Sequence, residues 1–157
     1  MNEEQLTGFE GDVPAEWNAI THRIIGAAIE VHRGLEPGLP EAVYERALLS
    51  EFRRCGLRAS EQVRFEVKYK GEGVGALTID LLVEDLVVVE LKSVETVNEV
   101  HLAQLMGYLH ISHKPLGLLI NFHVVRLREG VFRRINARAL RPQSPAALSH
   151  PTPSLSL

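Results

Sequence analysis

Leu77-Thr78-Ile79-Asp80-Leu81-Leu82-Val83, then Glu84-Asp85, then Leu86-Val87-Val88-Val89-Glu90-Leu91-Lys92, is the stretch that decides the fold. Two apolar, β-branched runs around a polar dipeptide read as two buried strands joined by a tight turn. Buried strands do not carry Asp80, Glu90 and Lys92 without compensation, because unpaired charge is costly there. Side chains alternate along a strand, so Glu90 and Lys92 share a face. Two carboxylates beside one ammonium suit a hard divalent cation and a water that it activates. An ion pair of Lys92 with Glu90 or Asp80 at the end of the sheet accounts for the same residues. The turn separates the two readings. A strict two-residue turn at Glu84-Asp85 pairs Asp80 with Val89 and faces it away from Glu90. A three-residue turn, or a bulge, makes Asp80 face Glu90.

Outward from this hairpin the chain reads as alternating layers. On the N-terminal side, Trp17, Ile20, Ile24, Ala28 and Val31 recur at helical spacing, predicting a helix from about Asp12 and Pro14 to Arg33. The loop Gly34-Leu35-Glu36-Pro37-Gly38 leads to Pro40, which suits the first turn of a second helix. That helix has Val43, Leu48, Leu49 and Phe52 on its core side and stops near Cys55 at Gly56. Val63 to Tyr69 alternates as a half-buried strand. On the C-terminal side, Val97 to Ile111 reads as a helix with Val100, Leu105 and Leu109 inward, and Leu116 to Ile120 as a short buried strand. Val124–Leu127 and Val131–Ile135 are expected to form a small closing hairpin around Glu129-Gly130. The fold class is therefore α/β, with a mixed sheet. Its domain spans residues 13–141, between a loose acidic lead-in over 1–12 and a Pro/Ser-rich tail over 142–157 that is expected to be disordered.

Composition narrows the class. At 157 residues, 45% hydrophobic and 24% charged, the chain fits one globular domain. No run approaches the roughly 20 apolar residues of a membrane span, and the acidic N-terminus lacks an apolar export core, so the cytoplasm is expected and no membrane. The lone Cys55 excludes an internal disulfide; it is expected in the core. Net charge is −3, but five acids precede the first basic residue, Arg23, and the remainder carries +2. Arg126, Arg128, Arg133, Arg134, Arg138 and Arg141 cluster late, either as a phosphate-facing patch or as a solvated surface.

Two further groups bear on chemistry. His101, Gln104 and Tyr108 share one helix face at spacings of three and four. Tyr108 can stack on a base or bond a phosphate, and Gln104 can bond water or a nucleic-acid backbone; taken without the carboxylates, a polar helix face with Tyr108 half-buried is the better account of them. Glu41, in a first helical turn, is either stabilised there by the dipole or an extra acid beside a metal.

Taken together, the motifs resemble a known family. Gly38-Leu39-Pro40-Glu41-Ala42-Val43-Tyr44 reads as G-x-x-E-x-x-Y. With Glu30-Val31-His32, Asp80-Leu81-Leu82-Val83, Val89-Glu90-Leu91-Lys92, His101-Leu102-Ala103-Gln104 and Gly117-Leu118-Leu119-Ile120-Asn121-Phe122, it is similar to the GxxExxY proteins over roughly residues 20 to 136. That family is placed in the PD-(D/E)XK nuclease superfamily. The resemblance implies a restriction-endonuclease-like α-β-β-β-α-β core with an added N-terminal helix. It also implies phosphodiester hydrolysis with Mg²⁺ or Mn²⁺. By position, Asp80, Glu90 and the Leu91 carbonyl would hold metal, and Lys92 would be the catalytic lysine. Glu41 would be the helix-borne acid. Gln104 and Tyr108 match the Q-x-x-x-Y motif of RecB-type exonucleases, with His101 and Tyr44 beside them as substrate contacts. Glu36 and Pro40 depart from the family pattern. The implied partners are nucleic acid, DNA ahead of RNA, and a second copy in a homodimer. The alternative, motivated by net negative charge and short length, is a non-catalytic nucleic-acid- or protein-binding regulatory module that keeps the nuclease fold.

Overall fold

A computed structural model describes residues 13–140; the expected lead-in, the tail and Arg141 lie outside the described residues. The elements are α1 (Ala15–Gly34), α2 (Glu41–Cys55), β1 (Ala59–Tyr69), β2 (Glu72–Val83), β3 (Val87–Lys92), α3 (Glu99–Ser112), β4 (Leu116–Asn121), a 3₁₀ turn (Leu127–Gly130), β5 (Val131–Ile135) and a short α4 (Ala137–Leu140). The five strands form one sheet in the order β1-β2-β3-β4-β5. Every neighbouring pair is antiparallel except β3 and β4, which run parallel and are linked through α3.

The sheet is covered on both sides, which explains its near-continuous apolar strands. On one side Ile24, Ala28 and Val31 of α1 and Tyr44, Leu48 and Phe52 of α2 pack on Leu81, Val89, Leu91, Leu118 and Ile120. On the other, Leu105 and Leu109 of α3 pack on Ile79, Leu82, Val88 and Leu119. All six residues of β4 are buried. Gly117 lets α3 pack close on β4, since a Cβ there would stand 2.9 Å from Leu105 Cδ1 and displace it.

The helix ends follow local chemistry. The α2 helix stops at Gly56, whose φ of 74° is left-handed. The α3 helix starts with a capping box: Asn98 Oδ1 accepts from the N–H groups of Val100 and His101, and His101 Nδ1 accepts from the Asn98 N–H.

The β2–β3 connection has three residues, since Val83 pairs with Val87, Leu82 with Val88 and Leu81 with Val89. Glu84 and Asp85 both take left-handed φ, 53° and 54°, an arrangement usually built from Asn or Gly. Distant residues hold it. The Arg58 guanidinium donates twice to Glu84 Oε2 and the Arg58 N–H to Oε1, while Lys114 Nζ donates to Asp85 Oδ1 at 2.8 Å and to its carbonyl.

Several expectations need correction. Val124–Leu127 is not a strand; β5 pairs with β4 at the sheet edge instead. The chain crosses there by a 3₁₀ turn in which Gly130 lies against the Asn121 carbonyl. Val100 is 73% exposed, because the first turn of α3 lies outside the packed stripe, and Val43 is exposed as well. Cys55 lies on the exposed side of α2.

A Cβ on residue 130 would fall 2.2 Å from the Asn121 carbonyl oxygen. Gly130→Ala is therefore expected to lose about 1–3 kcal/mol in chemical denaturation.

Candidate active site

The site begins where β2 and β3 stop pairing. The ladder ends at Leu81–Val89, and the same register sets Asp80 opposite Glu90. From there carboxylates replace main-chain partners. The Asp80 N–H donates to Glu90 Oε1 at 3.2 Å, and the Leu91 N–H donates to Asp80 Oδ2 at 2.9 Å. Phe122 N donates to the Lys92 carbonyl, so the Lys92 main chain faces β4. The Leu91 main chain, one residue earlier, faces the opened β2 side.

The strand alternation also slips here. Leu77, Ile79 and Leu82 all belong to the α3 side, a step of three across Asp80, while Leu81 and Val83 belong to the other. Opposite this slip in β1 stands Gln62, with a left-handed φ of 49°. Asp80 is thus left at a seam in the sheet, not in the middle of a closed ladder.

Glu90 is only 6% exposed. Burial, then the Asp80 charge, push its carboxyl up to about 8, against a lowering pull from Lys92. Among the described residues the ion pairs are Arg33–Glu30, Arg58–Glu84 and Lys114–Asp85. Lys92 is half-buried and forms no ion pair with either carboxylate, so the simple structural alternative does not form.

Helices bring in the remaining groups. Glu41 Oε1 accepts from the N–H of Ser93, the residue after Lys92, at 3.2 Å. Gln104 Nε2 donates to Tyr108 Oη at 2.8 Å. Burial first, then the Glu90 charge, raise the Tyr108 hydroxyl above its ordinary value, which places α3 beside the carboxylates. The fold therefore gathers Asp80, Glu90, Leu91, Lys92, Glu41, Gln104 and Tyr108 around one seam.

Of the two further expected substrate contacts, Tyr44 does not face it. Tyr44 is 1% exposed and stacks on Phe122 at 4.4 Å. Its hydroxyl donates to the Glu36 carbonyl and accepts from the Leu39 N–H, so it clamps the loop before Glu41. His101 spends Nδ1 on the capping box. The arginine patch is also thinned, because Arg133 is 3% exposed and its guanidinium donates to Asn18.

Three residues escaped the sequence reading. Glu45, one turn beyond Glu41, accepts two hydrogen bonds from Gln62 at 3.1 Å each. Burial, with smaller contributions from Asp80 and Glu61, raises its carboxyl above the usual value. The i,i+4 spacing from Glu41 was its available signal. Asn121, level with Lys92, is buried and bonds both the N–H and the carbonyl of Val94, pinning the chain beyond Lys92.

Among the described residues no cluster of three or more His, Cys, Asp or Glu could hold a metal. The oxygen donors on hand are two carboxylates and a main-chain carbonyl. These are hard ligands that a divalent cation accepts, with water completing its shell. The raised Glu90 fits this, since a cation would relieve the repulsion between two crowded acids.

Residues 18–135 match the PD-(D/E)XK nuclease superfamily, and the chain belongs to it. Its five-stranded mixed sheet with helices on both faces agrees with the restriction-endonuclease-like fold of that class. The function is accordingly of nuclease type. No curated protein and no solved structure matches the chain. No helix among the described residues is long and apolar enough to cross a membrane.

Glu90 gives a stability signature. Below about pH 4.5 it is neutral in both folded and unfolded chains. Between 4.5 and about 8 the unfolded chain releases its proton while the folded protein keeps it, so stability falls as pH rises. The slope from this group is at most about 1.4 kcal/mol per pH unit. Glu90→Gln should flatten it in denaturation curves taken without metal. Tyr44→Phe should cost about 1–3 kcal/mol by removing the two hydrogen bonds that hold the Glu36 carbonyl and the Leu39 N–H, read by the same curves.

Proposed function

We propose that the protein is a divalent-metal-dependent nuclease that hydrolyses phosphodiester bonds, in DNA ahead of RNA. One observation carries this reading: two crowded carboxylates, Asp80 and Glu90, at a seam in the sheet, with Glu90 pushed up to about 8 and Lys92 close by but unpaired with either. Asp80, Glu90 and the Leu91 carbonyl would hold Mg²⁺ or Mn²⁺. The cation supplies charge neutralisation on the phosphate and a lowered pKa for water.

The chain's own residues supply the rest. Lys92 offers a positive donor to the attacking water or to the charge that develops on the phosphoryl oxygens. Glu41, anchored on the Ser93 N–H, fixes the chain just beyond Lys92 and adds a carboxylate at its side. Asn121 holds Val94 and keeps Lys92 in place. Tyr108 and Gln104, hydrogen-bonded to each other, present a ring and an amide to a bound strand. Water adds to phosphorus and gives up a proton to solvent, the bridging P–O bond breaks, and the departing oxygen takes a proton from solvent to leave as a hydroxyl.

The G-x-x-E-x-x-Y stretch supports membership of the GxxExxY group within the superfamily, with Tyr44 acting as a clamp for Glu41. A cytoplasmic location fits a nucleic-acid substrate. A homodimer, expected from class behaviour, has its candidate surface at the β1 edge.

Labelled single- and double-stranded DNA and RNA, linear and circular, incubated with Mg²⁺ or Mn²⁺, test the reading. Cleavage is expected to fall at least about a hundredfold in Asp80→Asn and Lys92→Ala, which remove charge stabilisation of the transition state. Undiminished cutting by a folded Asp80→Asn protein refutes the assignment. No cutting by the metal-loaded wild type favours a non-catalytic binding module.

A further inference from the structure

The β1 strand is an edge. Among the described residues it pairs with β2 alone and no strand covers its outer side. An uncovered edge is a template for another strand. Two irregularities bracket its middle: the left-handed Gln62 and the register shift between Val67 and Lys68. Between them lies a regular five-residue segment, Val63-Arg64-Phe65-Glu66-Val67. Val63, Phe65 and Val67 are half-buried, whereas Arg64 and Glu66 are exposed.

The segment is self-complementary in charge about Phe65, with Arg64 on one side and Glu66 on the other. Antiparallel pairing of two identical edges must place outward-facing main-chain groups opposite each other, so the dyad falls on a residue and not between two. A dyad on Phe65 pairs Phe65 with its copy, Val63 with Val67, and Arg64 with Glu66 twice. Moving the dyad to Arg64 sets two arginines opposite each other. Moving it to Glu66 sets two glutamates opposite each other and pairs Arg64 with Lys68. Charged side chains on an edge normally repel a second strand; here they do so in both adjacent registers and attract in one.

We propose that β1 is a homodimer interface, in which two copies pair antiparallel about Phe65 and join their sheets into one of ten strands. The two-fold axis stands perpendicular to the sheet, because opposite residues of a ladder point to the same face. The apolar residues Val63, Phe65 and Val67 of both copies then form one stripe continuous with the α3-side core, to which Val63 and Phe65 already belong. A ladder of five residues is small against the roughly 1,000 Å² of a stable interface, so the dimer is concentration-dependent. This inference does not rest on the nuclease reading, since Arg64 and Glu66 lie outside the site.

Sedimentation of the full chain over a wide concentration range tests it. The wild type is expected to shift reversibly from monomer to dimer. Arg64→Glu should raise the dissociation constant about tenfold or more, because two attractive cross-strand pairs become repulsive. Adding Glu66→Arg to that variant should restore it. In a Cys55→Ser background, oxidised Phe65→Cys should give a cross-linked dimer, and Val63→Cys, which faces Val67 of its copy, should not. A monomer at every concentration overturns the proposal, including one whose edge is filled by another segment of the chain. So does a dimer indifferent to the charge reversal.

Discussion

Three residues, Glu84-Asp85-Leu86, set the register on which the site depends. With three residues in the turn, Asp80 comes level with Glu90. With two, it would stand beside Val89 and the carboxylates would face opposite sides of the sheet. The turn has no glycine to ease its two left-handed residues. Its geometry is held by the fork of Arg58 on Glu84 and by Lys114 on Asp85. Both cations come from segments remote in sequence, so the register at the site is a tertiary property.

Once Asp80 and Glu90 are level, the sheet cannot close over them. Main-chain pairing between β2 and β3 ends, and each carboxylate takes a main-chain N–H in place of a strand partner. Burial then makes the pair self-repelling, and Glu90 responds by holding its proton. A site of this kind is unfavourable by itself and becomes favourable when positive charge arrives. The helices serve the same end: α2 brings Glu41 to the chain beyond Lys92, and α3 carries Tyr108 to the open side.

Much of this was legible in the sequence. Helical and strand periodicity predicted the element order, and charged residues in apolar strands marked Asp80, Glu90 and Lys92. The turn length was not legible, because Glu84 carries no local signal for left-handed φ and Asp85 by itself does not set the number of turn residues. The Glu45–Gln62 bond was not legible for a similar reason, since it joins α2 to β1 across the fold. Tyr44 misled because a motif residue can be kept for architecture: it clamps a loop from the core. The closing hairpin failed where Gly130 lets the chain press against Asn121, a close approach that apolar spacing does not encode.

The central claim is that Asp80 and Glu90 form a metal site built around a carboxyl that must first lose its proton. Calorimetric titration with Mn²⁺ near pH 7, repeated in buffers of different ionisation enthalpy, measures it directly. The account predicts saturable binding coupled to proton release, with both lost in Glu90→Gln. Absence of Mn²⁺ binding by the folded protein, with or without DNA, would contradict it.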